Sequence, residues 1–379
     1  MQTDLASLRV AIVHERFTEL GGSERVVEQL HRLWPGAVVH AAIVDRNVLP
    51  SGLSDARLSP SVLQWLYRGG GRGYSHLLPL LPSAMAHLDV GDVDLVVTSH
   101  HAFANRVRPP ADVPVISYTH TPARWLWDPA MRAGEVGGPL GSAALAAFAA
   151  FQRPRDRQAA RRMDQIVVNS RHVASRVRTW WGREAEVVHP PVDVVWYHPD
   201  RSISREDFFL FAGRLVPYKR PEIAVAAARR AGVELMVAGA GRSAATLRKF
   251  AGPGVQLLGK VSDTVLRDLY RRCRALVFPG EEDFGIVPVE AQACGAPVVA
   301  LRAGGILDSV IGGVTGVLYD AEPGSHVEAL AEELRRFDAS RFDPVRIRRH
   351  ASGFSPDIFR ARFGAAVTRA LAAQSTAPR

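Results

Sequence analysis

Two carboxylates eight positions apart, Glu282 and Glu290, lie in a run that closes one predicted strand and opens a helix, Pro279-Gly280-Glu281-Glu282-Asp283-Phe284-Gly285-Ile286-Val287-Pro288-Val289-Glu290-Ala291-Gln292-Ala293-Cys294-Gly295. Pro288 suits the first turn of that helix and Gly295 its end, so the helix is predicted to begin near Val287 with its free N–H groups opening toward the strand ends. Unpaired amides and the positive end of the helix dipole favour phosphate oxygens there. Glu282 falls in the preceding loop and Glu290 in the first turn, so the two reach different parts of one ligand. A carboxylate accepts two hydroxyls at once, one way to hold a sugar. The alternative is that Glu290 only complements the helix N-terminus while Glu281, Glu282 and Asp283 form a solvated acidic turn. Placement at the carboxyl end of a strand, between glycines, favours a binding site.

Three more loops of the second half follow predicted strands. In Gly213-Arg214-Leu215-Val216-Pro217-Tyr218-Lys219-Arg220, Arg214 offers a planar fork and Lys219 a mobile point charge, a pair able to neutralise a diphosphate leaving group. Lys219 is one of three lysines among 47 basic residues; a solvated basic loop is the competing reading. Gly239-Ala240-Gly241-Arg242-Ser243-Ala244 matches a dinucleotide fingerprint. That fingerprint needs an acidic residue about 20 positions on, and here the next strand ends in Leu258-Gly259-Lys260, so an NAD enzyme is disfavoured. Arg302-Ala303-Gly304-Gly305-Ile306 either lets the backbone approach a ligand closely or is a plain turn.

In the first half, His14-Glu15-Arg16-Phe17-Thr18-Glu19-Leu20-Gly21-Gly22-Ser23-Glu24-Arg25 precedes a helix. Gly21 and Gly22 are placed to deliver amides to the same phosphates, unless Ser23 simply caps the helix. His120, in Ser117-Tyr118-Thr119-His120-Thr121-Pro122, follows the fourth strand and is expected to face the cleft; structural hydrogen bonding is the other reading. His100-His101 lacks companion ligands at zinc spacing. Asp92-Val93-Asp94 precedes a strand and reads as turn chemistry. Residues Arg57 to Leu88 carry no Asp or Glu but hold Arg57, Arg68, Arg72, Trp65, Tyr67, Tyr74 and Leu77-Leu78-Pro79-Leu80-Leu81-Pro82. That mixture suits the interface of an anionic bilayer, with burial of the leucines as the alternative.

The elements that position these loops are short Val/Ile/Leu runs alternating with helices, the pattern of parallel sheets covered on both faces. They are predicted at Arg9–Val13, Val38–Val44, Leu95–Thr98, Val115–Tyr118, Ile166–Asn169 and Val187–His189. The second half repeats the pattern at Phe208–Ala212, Leu235–Ala238, Val255–Leu258, Leu276–Phe278, Val298–Leu301 and Val317–Tyr319. Ligands of such sheets bind beyond the carboxyl ends of the strands. Pro190 to Asp207 reads as the connection, giving domains at 1–199 and 200–355, with 356–379, including an amphipathic Ile358–Ala373, returning toward the first.

The 379 residues are 47% hydrophobic and 22% charged, an ordinary globular balance. No run approaches the roughly 18 apolar residues of a membrane span. Met1 to Leu8 carries Asp4 and no basic region leading into an apolar core, so secretion is not expected and a cytoplasmic location is. With Cys273 and Cys294 alone, neither a disulfide framework nor a cysteine zinc site is expected. The net charge of +9 favours an anionic partner. The arginines are dispersed and no nucleic-acid module is present, so nucleic acid is not the expected partner.

Taken together, the Glu281-Glu282-Asp283-Phe284-Gly285-Ile286 string, the Glu282-x7-Glu290 spacing, Gly213-Arg214 with Lys219 upstream and Gly304-Gly305 downstream resemble the retaining GT-B glycosyltransferases of family 4. The first half adds Gly21-Gly22, Tyr118-Thr119-His120 and Val168-Asn169-Ser170-Arg171. The resemblance implies an α/β fold of two Rossmann-like parallel-sheet domains around a cleft, with a C-terminal helix crossing back. It implies that Arg214 and Lys219 bind the donor diphosphate, Glu290 the ribose hydroxyls and Glu282 the sugar hydroxyls. Backbone amides at Phe284, Gly285 and Ile286 lie beside that sugar, and Gly22 and His120 face the donor from the first domain. No cofactor and no metal is implied. Ala240 and Asp283 depart from residues common at those positions in the family. Pro217-Tyr218-Lys219-Arg220 and Ser117 to Asp128 look most like bacterial mannosyltransferases of polysaccharide and lipid-linked oligosaccharide assembly. The expected donor is GDP-mannose, and the expected acceptor is lipid-linked or a glycan, met at the inner face of the plasma membrane. A UDP-sugar donor and a sugar-nucleotide 2-epimerase of the same architecture are the alternatives.

Overall fold

The computed structural model describes residues 5–67, 74–133 and 138–376. Asp4, Arg68 and Arg72, used above, lie outside the described residues. The chain divides into two compact units, Met1–Pro191 with Pro356–Arg379, and Val192–Ser355.

Among the described residues of the first unit, seven strands form one parallel sheet: β1 Val10–His14, β2 Val38–Ala41, β3 Leu58–Pro60, β4 Leu95–His100, β5 Val115–Thr119, β6 Gln165–Val168 and β7 Glu186–Val187. Their order is β3-β2-β1-β4-β5-β6-β7. Every residue of β1, β4 and β5 is buried, as continuous apolar runs covered on both faces require. One face is covered by residues such as Met85, Phe103 and Trp181. The other is covered by Leu30, Trp34, Phe359 and Phe363. The last two come from the helix Pro356–Thr376, whose Phe359, Phe363, Ala366 and Val367 recur at helical spacing. Phe359 and Phe363 both meet Tyr118 edge-on, with ring centroids at 5.4 and 5.9 Å. The C-terminal segment therefore belongs to the first unit's core.

The strand Leu58–Pro60 is absent from the sequence reading, which left Arg57 to Leu88 between a bilayer interface and burial of its leucines. It is three residues long, ends in proline and pairs only with β2 among the described residues, as an edge strand allows.

The second unit carries a six-stranded parallel sheet, β8 Phe208–Ala212, β9 Glu234–Ala238, β10 Val255–Gly259, β11 Ala275–Phe278, β12 Val298–Leu301 and β13 Gly316–Tyr319, in the order β10-β9-β8-β11-β12-β13. The segment Pro190–Asp207, read as a connection, is built into this unit from Val192 onward. Val192, Val194 and Tyr197 are buried in its core, and the Val192 amide donates to the Phe354 carbonyl at 2.8 Å. The boundary accordingly falls before Val192 rather than near residue 200, because apolar side chains in that stretch have a core to join.

Each sheet reverses its strand order once, between β1 and β4 in the first unit and between β8 and β11 in the second. Loops leaving neighbouring strands on opposite sides of such a reversal splay apart and open a crevice. The loops after β8 and β11 carry Arg214, Lys219 and Glu282; the loop after β1 carries Gly21 and leads into the helix that opens at Gly22, and β4 ends on His100 with His101 next.

Candidate functional site

In the second unit the β8 loop folds into a short 3-10 turn, Pro217–Lys219, followed by Arg220 at φ 51°, the sole non-glycine residue with positive φ among those described. Arg220 steadies that conformation by a contact of its guanidinium with His326 Nε2 at 2.9 Å and lets the helix Pro221–Ala231 begin on its proline. The turn lays the Lys219 side chain across Gly213: a Cβ added there would lie 3.6 Å from Lys219 Cδ. The Lys219 ammonium donates to Glu282, the two side chains being 11% and 17% exposed. Arg214 is exposed, with Nη2 donating to Tyr218 Oη at 3.0 Å. The residues predicted for diphosphate and sugar thus meet, and Glu282 answers a charge on its own protein.

The helix after β11 spans Ile286–Ala293 and is entered through Gly285 at φ 89°, a conformation costly for any residue with a Cβ. Phe284 is buried against Phe354, with centroids 5.6 Å apart. Glu290 is the fifth residue of the helix and so falls just past its first turn, because the helix starts at Ile286, one residue earlier than the sequence suggested; the first turn holds no acidic residue. Glu290 is 8% exposed and accepts from Tyr270 Oη at 3.2 Å. Tyr270, on the preceding helix Asp263–Arg272, was not singled out from sequence, since nothing local links it to a residue 20 positions later.

The glycines of these loops are demanded by one another. A Cβ on Gly239 would lie 1.8 Å from the Gly213 carbonyl oxygen, and one on Gly241 2.4 Å from that of Leu215. A Cβ on Gly280 would lie 2.9 Å from Lys219 Cα, and one on Gly305 2.1 Å from the Asp283 oxygen. The Gly239-Ala240-Gly241 pattern is therefore explained by backbone packing on the β8 loop, where Leu215 N donates to the Ala240 carbonyl at 2.9 Å. Gly304 and Gly305 likewise approach the Glu282 backbone, and Gly305 N donates to the Glu282 carbonyl at 2.7 Å. Lys219 and Glu282 are held by loops too tightly packed to shift independently.

In the first unit the helix Gly22–Leu33 begins after Gly21, not at Ser23. The Gly21 amide, expected to meet a phosphate, donates to Glu24 Oε2 at 2.8 Å, so it is already committed. Glu24 also accepts from Ser23 Oγ at 2.9 Å and contacts His14 Nε2 at 3.3 Å. Burial raises its carboxyl, but the His14 contacts, a backbone hydrogen bond and Ser23 outweigh burial and hold it below the ordinary value. His14 Nδ1 contacts Ser99 Oγ at 3.1 Å, and the same oxygen contacts His120 Nε2 at 2.9 Å. Burial and the neighbouring His14 push His120 down to about 3. Ser99 went unnoticed in the sequence. It is aligned with His14 in the register of β1 and β4, a pairing that no sequence spacing discloses.

Arg16, also missed, donates Nε to Thr18 at 3.2 Å and contacts His101 Nε2 at 3.0 Å, with its guanidinium 4.1 Å over the Tyr74 ring. Tyr74 is thus half-buried against Arg16 of the first unit. Leu77 and Leu81 are buried as well, whereas Val62, Trp65 and Leu66 are 76%, 91% and 57% exposed. Arg9 bridges Asp92 and Asp94, donating Nη2 to Asp94 Oδ1 at 2.7 Å, in agreement with a structural role for that pair. Among the described residues no group of three or more His, Cys, Asp and Glu is placed to hold a metal ion, and no helix is long and apolar enough to cross a membrane.

Residues 198–352 match the family model described as Glycosyl transferases group 1, and residues 20–196 the model described as Glycosyltransferase Family 4. D-inositol 3-phosphate glycosyltransferases of Mycobacterium tuberculosis and Mycobacterium bovis are 36% identical over 221 residues, 51% of this chain and 46% of theirs. The match thus spans about half the length of those relatives. Among solved structures, sucrose-phosphate synthase from Thermosynechococcus elongatus is similar with a TM-score of 0.69 at 17% identity, covering 96% of this chain and 100% of that one. Anabaena HepE in complex with UDP and glucose gives 0.65 at 17% identity, covering 95% and 100%. At such identities these likenesses establish the fold, two Rossmann-like domains of the GT-B type.

Proposed function

We propose that this chain, whose first domain matches the model of Glycosyltransferase Family 4 and whose second matches that of Glycosyl transferases group 1, is a family 4 glycosyltransferase of GT-B fold that moves a hexose with retention from a nucleotide-sugar donor to a lipid-linked or glycan acceptor. The observation that carries the reading is the Lys219–Glu282 pair at the strand-order reversal of the second unit. An incoming diphosphate takes over the Lys219 ammonium and frees Glu282 to accept sugar hydroxyls. Arg214, exposed and near Tyr218, adds a second positive charge. Glu290, presented by Tyr270, receives ribose hydroxyls, and the amides of Phe284, Gly285 and Ile286 at the helix start lie beside the sugar. Charge developing on the leaving diphosphate is met by groups already in position, the main protein contribution to such a transfer. A donor phosphate oxygen takes the acceptor's proton, and no metal or other cofactor enters.

GDP-mannose is the proposed donor, on the likeness of Pro217-Tyr218-Lys219-Arg220 and Ser117 to Asp128 to bacterial mannosyltransferases. A UDP-sugar is the second reading, favoured by the UDP and glucose of the Anabaena neighbour. The proposed setting is the cytoplasmic face of the plasma membrane. Exposed Val62, Trp65 and Leu66, with Arg155 set 3.6 Å over the Phe151 ring, support contact with anionic lipid.

Thermal unfolding with GDP, UDP, ADP or dTDP tests the donor, since a ligand of the native state raises apparent stability. GDP is expected to give the largest shift, followed by transfer from GDP-mannose that requires an acceptor. A shift from none of the four nucleotides overturns the reading, and acceptor-independent release of an altered sugar makes the chain an epimerase.

A further inference from the structure

Arg16, half-buried at the carboxyl end of β1, keeps its positive charge among neutral groups. Its Nε donates to Thr18 Oγ1 at 3.2 Å, its Nη1 to His101 Nε2 at 3.0 Å and its Nη2 to Tyr74 Oη at 3.3 Å. A guanidinium has no acceptor, so the His101 ring must offer the lone pair of Nε2 and carry its hydrogen on Nδ1. That ring is neutral, because burial first, and then the Arg16 charge, hold it well below its ordinary value. The adjacent carboxylate is spent elsewhere. Glu15 is buried, and its Oε1 accepts from the amides of His101 at 3.3 Å, Ala102 at 2.7 Å, Phe103 at 2.5 Å and Ala104 at 2.7 Å. Glu24 is turned to His14 and to the Gly21 amide. Among the described residues Arg16 makes no ion pair. A cation partly withdrawn from water without a counter-charge is costly until a ligand supplies one.

We propose that Arg16, with Thr18 and Tyr74, is a binding site for a phosphate ester carried by the acceptor. Of the five N–H donors of a guanidinium, those given to Thr18, His101 and Tyr74 leave one on each terminal nitrogen, which is what a bidentate grip on an oxyanion requires. Thr18 Oγ1 and Tyr74 Oη both accept from Arg16, so the hydrogen of each hydroxyl is left to donate. A phosphate monoester, with three terminal oxygens, uses more of these donors than a carboxylate with two. Placement agrees with this. Arg16 follows β1 and His101 follows β4, the two strands between which the order of the first sheet reverses, where ligands of such sheets bind. Through four amides Glu15 ties the β4 loop to the β1 loop, so the cation is held in place before a ligand arrives. All of these residues belong to the first unit, whereas Lys219 and Glu282 belong to the second. The inference rests on the glycosyltransferase reading for calling the ligand an acceptor; the anion site itself does not.

The test is isothermal titration at pH 8 of the full chain carrying Arg214→Ala and Lys219→Ala, so that the cations of the second unit do not take up the probe. The probes are glucose 6-phosphate and decyl phosphate, with glucuronate and decanoate as their carboxylate counterparts. Both phosphates are expected to bind, each more tightly than its carboxylate, and the tighter of the two tells whether a sugar phosphate or a lipid-linked phosphate is the source. Adding Arg16→Gln is expected to weaken phosphate binding about 10 to 100-fold, the scale of hydrogen bonds to a charged group, with unchanged circular dichroism. Arg16→Lys, which keeps the charge without the fork, is expected to recover part of that loss and decides the matter should Arg16→Gln not fold. In the otherwise wild-type chain, Arg16→Gln is expected to raise acceptor KM at least tenfold with donor KM unchanged, a split that a merely structural role does not produce. No binding of either phosphate, binding indifferent to Arg16, or carboxylates that bind as tightly overturn the inference even if transfer is observed. Arg16-dependent phosphate binding without transfer from any donor overturns the functional reading alone.

Discussion

The ammonium of Lys219 rests against the carboxylate of Glu282, 63 positions later, with both side chains largely withdrawn from water. Each neutralises the other, so removing either leaves a charge with little solvent to compensate it. Lys219→Ala is expected to lower kcat/KM on the order of 10² to 10³-fold while the fold persists. Glu282→Ala is expected to do the same, and the double variant to lose much less than the two single losses multiplied, because the partners act as a unit. Steady-state transfer kinetics of the four proteins check this; multiplicative losses would show that the pair is not coupled.

Tyr270→Phe removes the hydroxyl that holds Glu290 Oε2 at 3.2 Å and leaves the ring's packing against Tyr197 in place. Glu290 then samples more orientations. Donor KM is expected to rise about three- to tenfold with kcat little changed, the scale of one hydrogen bond used in binding. Isothermal titration with the free nucleotide checks the same quantity without turnover.

Gly239 has φ +152°, and a Cβ there meets the Gly213 carbonyl oxygen at 1.8 Å. Gly239→Ala must push two loop backbones apart, and is expected to destabilise the second unit by roughly 3 kcal/mol. Urea unfolding measures it; Gly232→Ala, at φ +70° with nothing within 4 Å of its Cβ, supplies the comparison for strain without collision. Equal losses at both positions would refute the packing explanation of the Gly239-Ala240-Gly241 pattern.

Asp156 is buried in the first unit and accepts from Trp127 Nε1 at 2.8 Å and Trp181 Nε1 at 2.7 Å. Burial raises its carboxyl to about 6 from 3.8, against the pull of the two indoles. The folded state then holds the proton more tightly than the unfolded chain does. Its contribution to stability is fully present below about pH 4 and is lost as pH rises through about 6. Asp156→Asn keeps an acceptor for both indoles and cannot ionise. Denaturation across that window is expected to show a flatter profile in the variant and greater stability above pH 6, with no gain at pH 4.

Val62, Trp65 and Leu66 crown one short turn after β3 and are 76%, 91% and 57% exposed. Replacing all three with serine is expected to reduce co-sedimentation with phosphatidylglycerol vesicles several-fold while leaving transfer to a soluble acceptor analogue intact. Unaltered sedimentation would place any membrane contact elsewhere.

Parallel strands buried on both faces announce themselves as apolar runs, and twelve of the thirteen described strands overlap the stretches read from sequence. The exception, Leu58–Pro60, is too short and too polar to carry such a signal. Local chemistry also marked the loops: the Glu282 to Glu290 spacing, Gly213-Arg214 and Lys219 all follow strands that exist. What spacing in one dimension does not carry is adjacency between strands. Strand order brought Lys219 to Glu282, register set His14 beside Ser99, and Tyr270 reached Glu290 from another helix. The same limit hid the partners of Tyr74 and of the Gly21 amide, Arg16 and Glu24, which are chosen by how the chain folds back. Residue types and their order determined which groups stand at the carboxyl ends of strands. Close packing of backbone on backbone, at glycines that admit no Cβ, decided which of those groups touch.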